Sequence, residues 1–242
     1  APTVTVSATA SSYAAVNVAN NGAVNFNNNA VVSAIGRRHG ISIDTNSSAT
    51  VGGDLTATGS TSANSRPVVI DTGSSLTVHG NMDLKSISSQ GGAAIEVGPA
   101  SNVYVDGNTT LHSIKATAAR LYGTSLFKGN VTAISTAILD TYPGIVASGN
   151  NVFMKNLDIT SAPSGFQQVS NPNASTVVEG NLNVTTTGSA ANGVQLDSGT
   201  ISVKNNTTIT TSGDSANGIT ISSGSFEGLG TNTIATTGAK AN

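Results

Sequence analysis

The sequence predicts an all-β fold, a right-handed parallel β-helix of about nine rungs with three short strands per rung. Three observations predict it: a ladder of similar segments about 25 residues apart, apolar residues that alternate with polar ones, and turns rich in Gly, Asn, Asp and Ser. A fixed period of this size is typical of a solenoid, in which each repeat buries its apolar face only by stacking on its neighbours.

The ladder is a Gly-Asn or Gly-Asp pair followed by an alternating segment, as in Gly53-Asp54-Leu55 and Gly180-Asn181-Leu182. Successive Asp or Asn positions between residues 54 and 206 are separated by 27, 27, 22, 26, 25 and 25 residues. We interpret these side chains as a turn stack that satisfies backbone groups between rungs, because Asn and Asp readily bond neighbouring backbone in turns.

Each repeat contains three short segments with period-two alternation, which is the signal for strands separated by turns. The clearest rung places Val194 and Leu196 in the first strand, Ile201 and Val203 in the second, and residues 207–211 in the third. No segment has the length and periodicity of an amphipathic helix. Alternating apolar residues should therefore stack inside the rod, with Thr, Ser and Asn outside.

Composition excludes several classes of protein. Charged residues make up 9% and hydrophobic residues 37%, with a net charge of −2, so the chain lacks the low hydrophobicity and high charge of disordered proteins. The acidic balance argues against a nucleic-acid partner. No apolar run is long enough to span a membrane. The absence of cysteine is typical of a protein exported through an oxidising compartment.

Two regions are predicted along the chain. Residues 1–23 show no clear repeat and are predicted to form an N-terminal cap or an irregular entry segment, and residues 24–242 are predicted to form the β-helix. The sequence stops soon after a segment that looks like those before it, without a capping segment. We therefore expect it to be a fragment of a longer chain.

Three recurring phrases, at residues 180–188, 197–203 and 215–221, resemble the passenger domains of bacterial autotransporters. The resemblance is closest to the adhesin group that includes the AIDA-type and antigen-43-like proteins, and it covers residues 24–242. It implies a right-handed β-helix at the bacterial cell surface, exported through the outer membrane. It also implies an adhesin that binds a host matrix protein or glycan, or a second copy of itself as a weak homodimer.

The search for chemistry finds no catalytic constellation. His39, His79 and His112 are too scattered for a metal site, so no metal and no cofactor are predicted. A polysaccharide-cleaving β-helix is the enzymatic alternative, and it requires paired carboxylates on one face. The candidate carboxylates are Asp44 and Asp71, which occupy equivalent turns, with Glu96 nearby. We favour the interpretation of the two Asp residues as Asx-turn residues, and we expect a protein that is not an enzyme. An inert spacer is the third alternative.

Positive charge is concentrated in one part of the chain, since eight of the ten Lys and Arg residues lie between residues 37 and 155. An equal offset of 15 residues before the ladder is shared by His39, Arg66 and Lys115, and it predicts a column that could bind a sulfated or sialylated glycan or an acidic protein surface. The candidate ligand-binding residues are Arg37, Arg38, His39, Arg66, Lys115 and Arg120. The alternative is a solvated edge.

A second column of mixed charge lies two residues before the ladder and is predicted to support self-association, or else to be a solvated face whose charges pair with one another. Its members are His79, Asp106, Lys128, Glu179 and Lys204. Two further stretches, residues 112–128 and 160–175, depart from the regular pattern and are predicted to be a short rung and a loop region suited to binding.

Overall fold

The computed structural model describes residues 2–8, 13–36, 38–137, 142–169 and 171–241. Within these ranges the regular structure consists of 28 β-strands in three parallel sheets. Consecutive strands pass from sheet A to sheet B to sheet C, and then return to sheet A one rung further along. The predicted β-solenoid of about nine turns with three strands per rung is confirmed.

Each sheet gains one strand per rung, so its spatial order follows every third strand of the chain. Sheet A contains β1 (Thr3–Ala8), β4 (Asn29–Ala34), β7 (Leu55–Thr58), β10 (Met82–Ser86), β13 (Thr109–Ser113), β16 (Val131–Ser135), β19 (Leu157–Ser161), β22 (Leu182–Thr186), β25 (Thr207–Thr211) and β28 (Asn232–Thr236). Sheet B contains β2 (Ala14–Val18), β5 (His39–Ile43), β8 (Arg66–Ile70), β11 (Ile95–Val97), β14 (Ala119–Leu121), β17 (Ile145–Ala147), β20 (Phe166–Gln168), β23 (Val194–Leu196) and β26 (Ile219–Ile221). Sheet C contains β3 (Ala23–Phe26), β6 (Ser48–Val51), β9 (Ser75–Val78), β12 (Asn102–Val105), β15 (Thr124–Phe127), β18 (Asn150–Phe153), β21 (Ser175–Val178), β24 (Thr200–Val203) and β27 (Ser225–Gly228).

The core is a set of stacked columns along the axis of the rod. In β22 the buried residues Leu182, Val184 and Thr186 alternate with residues that face outward. Because strands pair in register, each buried side chain lies on its counterpart in the next rung. The largest such contact is between Phe127 and Phe153, whose rings stack 5.3 Å apart with an angle of 10° between their planes. The alternation read from the sequence therefore fixes which side chains are inside.

The Asp/Asn ladder joins consecutive rungs at the corner between sheets C and A. The side-chain oxygen of Asn29 accepts a hydrogen bond from the backbone N–H of Asp54 at 2.9 Å, and Asp54 accepts in turn from Asn81 at 2.7 Å. The same contact, at 2.9 to 3.3 Å, continues through Asn108, Asn130, Asn156, Asn181 and Asn206 to the N–H of Thr231. The interpretation as a turn stack is confirmed.

The predicted irregularity of residues 1–23 is wrong for the residues that the structure describes there. Strands β1, β2 and β3 pair in register with β4, β5 and β6, so the solenoid already begins at Thr3. Short, small side chains such as Ala14 and Ala15 gave this rung a weak apolar signal, although the pairing is the same as elsewhere.

The two stretches predicted to be irregular also belong to the solenoid. Residues 112–128 contain β14 and β15, and this rung is short only because its corners are short. Residues 160–175 contain β20, whose Phe166 and Gln168 are buried in the core. Because Gln168 is polar, the sequence pattern does not predict it as a core residue. Its amide nitrogen lies 3.1 to 3.3 Å from three backbone carbonyl oxygens, and its amide oxygen accepts a hydrogen bond from the Thr176 hydroxyl.

A substitution at Asn156 tests the ladder. Asn156→Ala removes the oxygen that accepts from the N–H of Asn181 at 3.0 Å, and we expect it to lower the free energy of unfolding by about 0.5–1.5 kcal/mol in urea titrations. Asn156→Asp is the matched control, because a carboxylate already serves as the acceptor at Asp54. Equal loss in both variants would contradict the proposed contact.

Candidate binding surface

The strand register decides which members of the first candidate column meet. His39 and Arg66 are direct partners at the starts of β5 and β8. Arg120 instead lies in the middle of β14, where its direct partner is Glu96 of β11. Arg38 is exposed immediately before β5. Arg37 lies outside the described residues.

Lys115 does not belong to this column, and its predicted alignment with His39 and Arg66 is wrong. It is exposed in the corner between β13 and β14. The 15-residue spacing between these residues and the ladder includes the corner between sheets B and C, whose length differs from rung to rung. This corner spans four residues, 71–74, in the rung of Arg66, but only two, 122–123, in the rung of Arg120.

Arg66, Glu96 and Arg120 form an ion-pair group that we call the Arg–Glu–Arg cluster. Glu96 Oε2 lies 3.0 Å from Arg66 Nε and 3.1 Å from Arg120 Nη1. Arg120 Nη2 also donates a hydrogen bond to the carbonyl oxygen of Gly91 at 3.3 Å. The three side chains are 18%, 23% and 20% exposed. One carboxylate is therefore shared by two guanidinium groups, which leaves the cluster with one uncompensated positive charge.

Three of the four tyrosines of the chain surround this cluster. Tyr13 is half exposed and packs edge-on against His39, with the ring centroids 5.0 Å apart. A Cβ atom added to Gly91 would lie 3.8 Å from the Tyr142 hydroxyl, which places that hydroxyl beside the carbonyl bound by Arg120. Tyr122 directly follows β14, and burial raises its pKa against the opposing effect of Arg120. Its phenol is therefore a neutral hydrogen-bonding group.

His39 is a buried support beneath Tyr13 rather than an exposed cation. It is 3% exposed. Burial, followed by the positive charges of Arg66 and Arg38, lowers the pKa of His39 to about 4. The imidazole is therefore neutral at pH 7, and the positive charge of this surface comes from the arginines.

The same outward line of sheet B continues through β17, β20 and β23. Register places Glu96, Arg120, Val146, Gln167 and Gln195 along it in that order. The amides of Gln167 and Gln195 both donate to the carboxylate of Asp197, at 3.1 and 2.9 Å. We call this line, with the tyrosines beside it, the outer face of sheet B. It carries planar polar side chains held in place by their neighbours.

The second candidate column is only partly brought together. His79 Nδ1 and Lys128 Nζ each lie 2.9 Å from a different carboxylate oxygen of Asp106. Hydrogen bonds from His79 and then Lys128 hold the pKa of Asp106 well below its usual range. Lys128 Nζ also lies 4.7 Å from the centre of the Tyr104 ring. These three side chains therefore pair with one another within one chain.

The other two members of that column, Glu179 and Lys204, lie apart from His79, Asp106 and Lys128. Glu179 and Lys204 are exposed at the ends of β21 and β24. Among the described residues, neither forms an ion pair. Met154 follows β18 at the equivalent position and separates Lys128 from Glu179 in the column.

The carboxylates required by the enzymatic alternative serve other contacts. Asp44 accepts a hydrogen bond from the Ser42 hydroxyl at 3.0 Å, and Asp71 accepts one from the backbone N–H of Thr72 at 3.0 Å. Neither is the bond to the second following residue that defines an Asx-turn, so these contacts do not support the predicted Asx-turns. Glu96 faces two arginines. Across the described ranges, no three His, Cys, Asp or Glu side chains group closely enough to hold a metal ion. What this surface offers chemically is hydrogen bonding and charge.

The comparisons with known proteins add no relative. No family model, curated protein or solved structure matches this chain. None of the described residues belongs to a helix long and apolar enough to cross a bilayer. The fold and the geometry of the outer face of sheet B are therefore the grounds on which function is argued.

The buried His39 makes stability depend on pH. Its folded pKa of about 4 lies below the ordinary value of 6.5, so the unfolded chain takes up the proton first as pH falls. The contribution of the neutral imidazole is fully present above pH 6.5 and is lost as pH falls towards 4. We expect this loss to be about 1–3 kcal/mol.

His39→Phe keeps the edge-on contact with Tyr13 and cannot titrate. Urea unfolding at several pH values should show a shallower decline between pH 6.5 and 4 in His39→Phe than in the wild type. The same slope in both proteins would show that His39 is not the group responsible.

Proposed function

We propose that this chain is a cell-surface adhesin domain of bacterial origin that binds a host matrix protein or glycan through the outer face of sheet B. The observation that carries the proposal is the Arg–Glu–Arg cluster with its three neighbouring tyrosines. These groups come from several rungs and lie on one side of a rod whose other outward positions are mainly Thr, Ser and Asn. Convergence of charged and aromatic side chains on one surface is typical of binding sites.

The location of the protein is part of the same proposal. The phrases at residues 180–188, 197–203 and 215–221 resemble autotransporter passengers, which are exported through the outer membrane and displayed on the cell surface. The absence of cysteine and the low content of charged residues agree with such a route. A rigid rod displayed in many copies can turn weak contacts into firm attachment, because linked sites bind with a high effective concentration.

Self-association is the second form of adhesion that this chain could support, through Glu179 and Lys204. They are the members of the mixed-charge column that lack an ion-pair partner among the described residues, and their opposite charges suit an antiparallel contact with a second copy. Exposed ion pairs contribute about 0.2–1 kcal/mol each, so such a homodimer would be weak and sensitive to salt. The outer face of sheet B offers more groups and is the preferred surface.

Catalysis is not part of the proposal. Cleavage of a polysaccharide requires two carboxyl groups on either side of the bond, about 5–10 Å apart and free to act as acid and base. Asp44 accepts a hydrogen bond from Ser42 of β5, Asp71 accepts one from the N–H of Thr72, and Glu96 is paired with two guanidinium groups. An inert spacer remains the competing structural role, and binding measurements separate it from an adhesin.

The test is a binding survey with the purified chain, in monomeric and tetramerised form, at low and physiological salt. Surfaces would carry matrix proteins, glycans, or the chain itself, with albumin as background. We expect saturable binding to at least one surface and stronger retention of the tetramer. Binding no higher than on albumin for all three surfaces, in both forms, would contradict adhesion and favour the spacer.

A further inference from the structure

We infer that the outer face of sheet B binds a linear anionic glycan, whose carboxylate or sulfate group contacts the Arg–Glu–Arg cluster while its sugar rings lie against the tyrosines. This inference rests on the proposed adhesin function and deepens it by naming the class of ligand. Carboxylate and sulfate share the chemistry that an arginine recognises, so the ligand is defined by an anionic group on a sugar.

The two guanidinium groups of the cluster are already held by neighbouring groups before any ligand binds. Arg66 and Arg120 are fixed by Glu96, and Arg120 is fixed a second time by the carbonyl of Gly91. Each still exposes about a fifth of its side chain. A planar guanidinium that is held in advance loses little entropy when it binds a carboxylate or sulfate with paired hydrogen bonds.

The cluster also keeps an uncompensated positive charge. Glu96 offsets only one of the two arginines, and Arg38 is exposed close enough to His39 to lower its pKa. Asp44 and Asp71 stand at the far edge of the same sheet, next to the corner with sheet C. The positive charge is therefore concentrated at one place on the face. Such a surface suits a polymer that carries single, spaced anionic groups better than a polymer that is densely charged along its length.

The outer face of sheet B also carries aromatic rings and polar groups. Tyr13, Tyr122 and Tyr142 each combine an aromatic ring with a hydroxyl group, and such side chains suit surfaces that are partly apolar and partly hydrated. Further along the line, Gln167 and Gln195 are held by Asp197. With strands about 4.8 Å apart, Arg120 and Gln195 are separated by about 14 Å along the rod. A linear polymer lying parallel to the axis would pass Arg120, Gln167 and Gln195 in turn, with the tyrosines at the two edges of the sheet beside it.

A glycan fits this face better than an acidic protein does. Protein interfaces normally need large apolar anchors in a desolvated centre. Among the large exposed apolar residues of the described chain, Met154 lies after β18 of sheet C and Ile35 lies after β4 of sheet A. Tyr13, another exposed member of that group, packs on His39, whose register partner is Arg66 of the cluster.

The experiment measures binding of four probes to the full chain: hyaluronan oligosaccharides, which carry carboxylate without sulfate, chondroitin sulfate, carboxyl-reduced chondroitin sulfate, and neutral dextran. We expect binding of at least one anionic probe and none of dextran. Hyaluronan alone would identify the carboxylate as the group recognised, and binding of carboxyl-reduced chondroitin sulfate would identify the sulfate. Equal binding of dextran and the anionic probes would overturn the inference.

Matched variants locate the site. Arg120→Gln should weaken binding of the anionic probe by about tenfold or more, because a charge-assisted contact is lost. Arg120→Lys should recover only part of it, because lysine lacks the planar fork. Lys85→Gln removes an exposed cation from sheet A and should leave binding within about twofold. Equal effects of Arg120→Gln and Lys85→Gln would mean attraction by overall charge and would overturn the inference.

Two further measurements distinguish a loss of glycan binding from a loss of folding, and a failure of this inference from a failure of the adhesin proposal. Tyr13→Ala alters a half-exposed side chain and should weaken binding while thermal unfolding remains cooperative, so the inference stays testable if Arg120→Gln unfolds. Should the chain bind a matrix protein, an acidic protein or itself but none of the anionic glycans, this inference falls while the adhesin proposal stands.

Discussion

Hydrogen bonding in register between consecutive rungs is the constraint on which the rest of this structure depends. Every strand pairs with the strand one rung away, and the Asp/Asn ladder fixes that pairing at one corner from Asn29 to Thr231. A slip by one residue would turn the core columns outward, because side chains alternate along each strand. The ladder therefore does more than satisfy backbone groups: it holds the alternation of one rung in phase with the next.

The same constraint builds the candidate surface. Arg66 and Arg120 are 30 and 24 residues from Glu96 in sequence, yet the three come from adjacent strands β8, β11 and β14, and both arginines pair with the one carboxylate. Each rung contributes one or two functional groups, and stacking aligns them along the rod. A solenoid therefore offers a long face of regularly spaced contacts rather than a closed pocket, which suits a polymer better than a small molecule.

The sequence predicted well the features that repeat in every rung. It predicted poorly the alignment of side chains that depends on the length of a single corner. The fold and the ladder could be predicted, because nine similar rungs repeat the same alternation. The displacement of Lys115 from the column of Arg66 could not be predicted, since it depends on the two-residue corner 122–123, which alternation does not reveal. The Arg–Glu–Arg cluster had a readable signal in hindsight, because Glu96 and Arg120 are one rung apart and of opposite charge. The convergence of Tyr13 on His39 had none.

The central claim is that the outer face of sheet B is the binding face, and the four tyrosines offer the most direct measurement of it. Hydroxyl-radical footprinting, with and without the anionic glycan bound, reports the exposure of each tyrosine by mass spectrometry. Tyr13, Tyr122 and Tyr142 lie at the proposed face, whereas Tyr104 lies on sheet C beneath Lys128 and is an internal control. The account predicts protection of the first three and an unchanged Tyr104. Protection of Tyr104 alone would contradict it and place the contact on the other side of the rod.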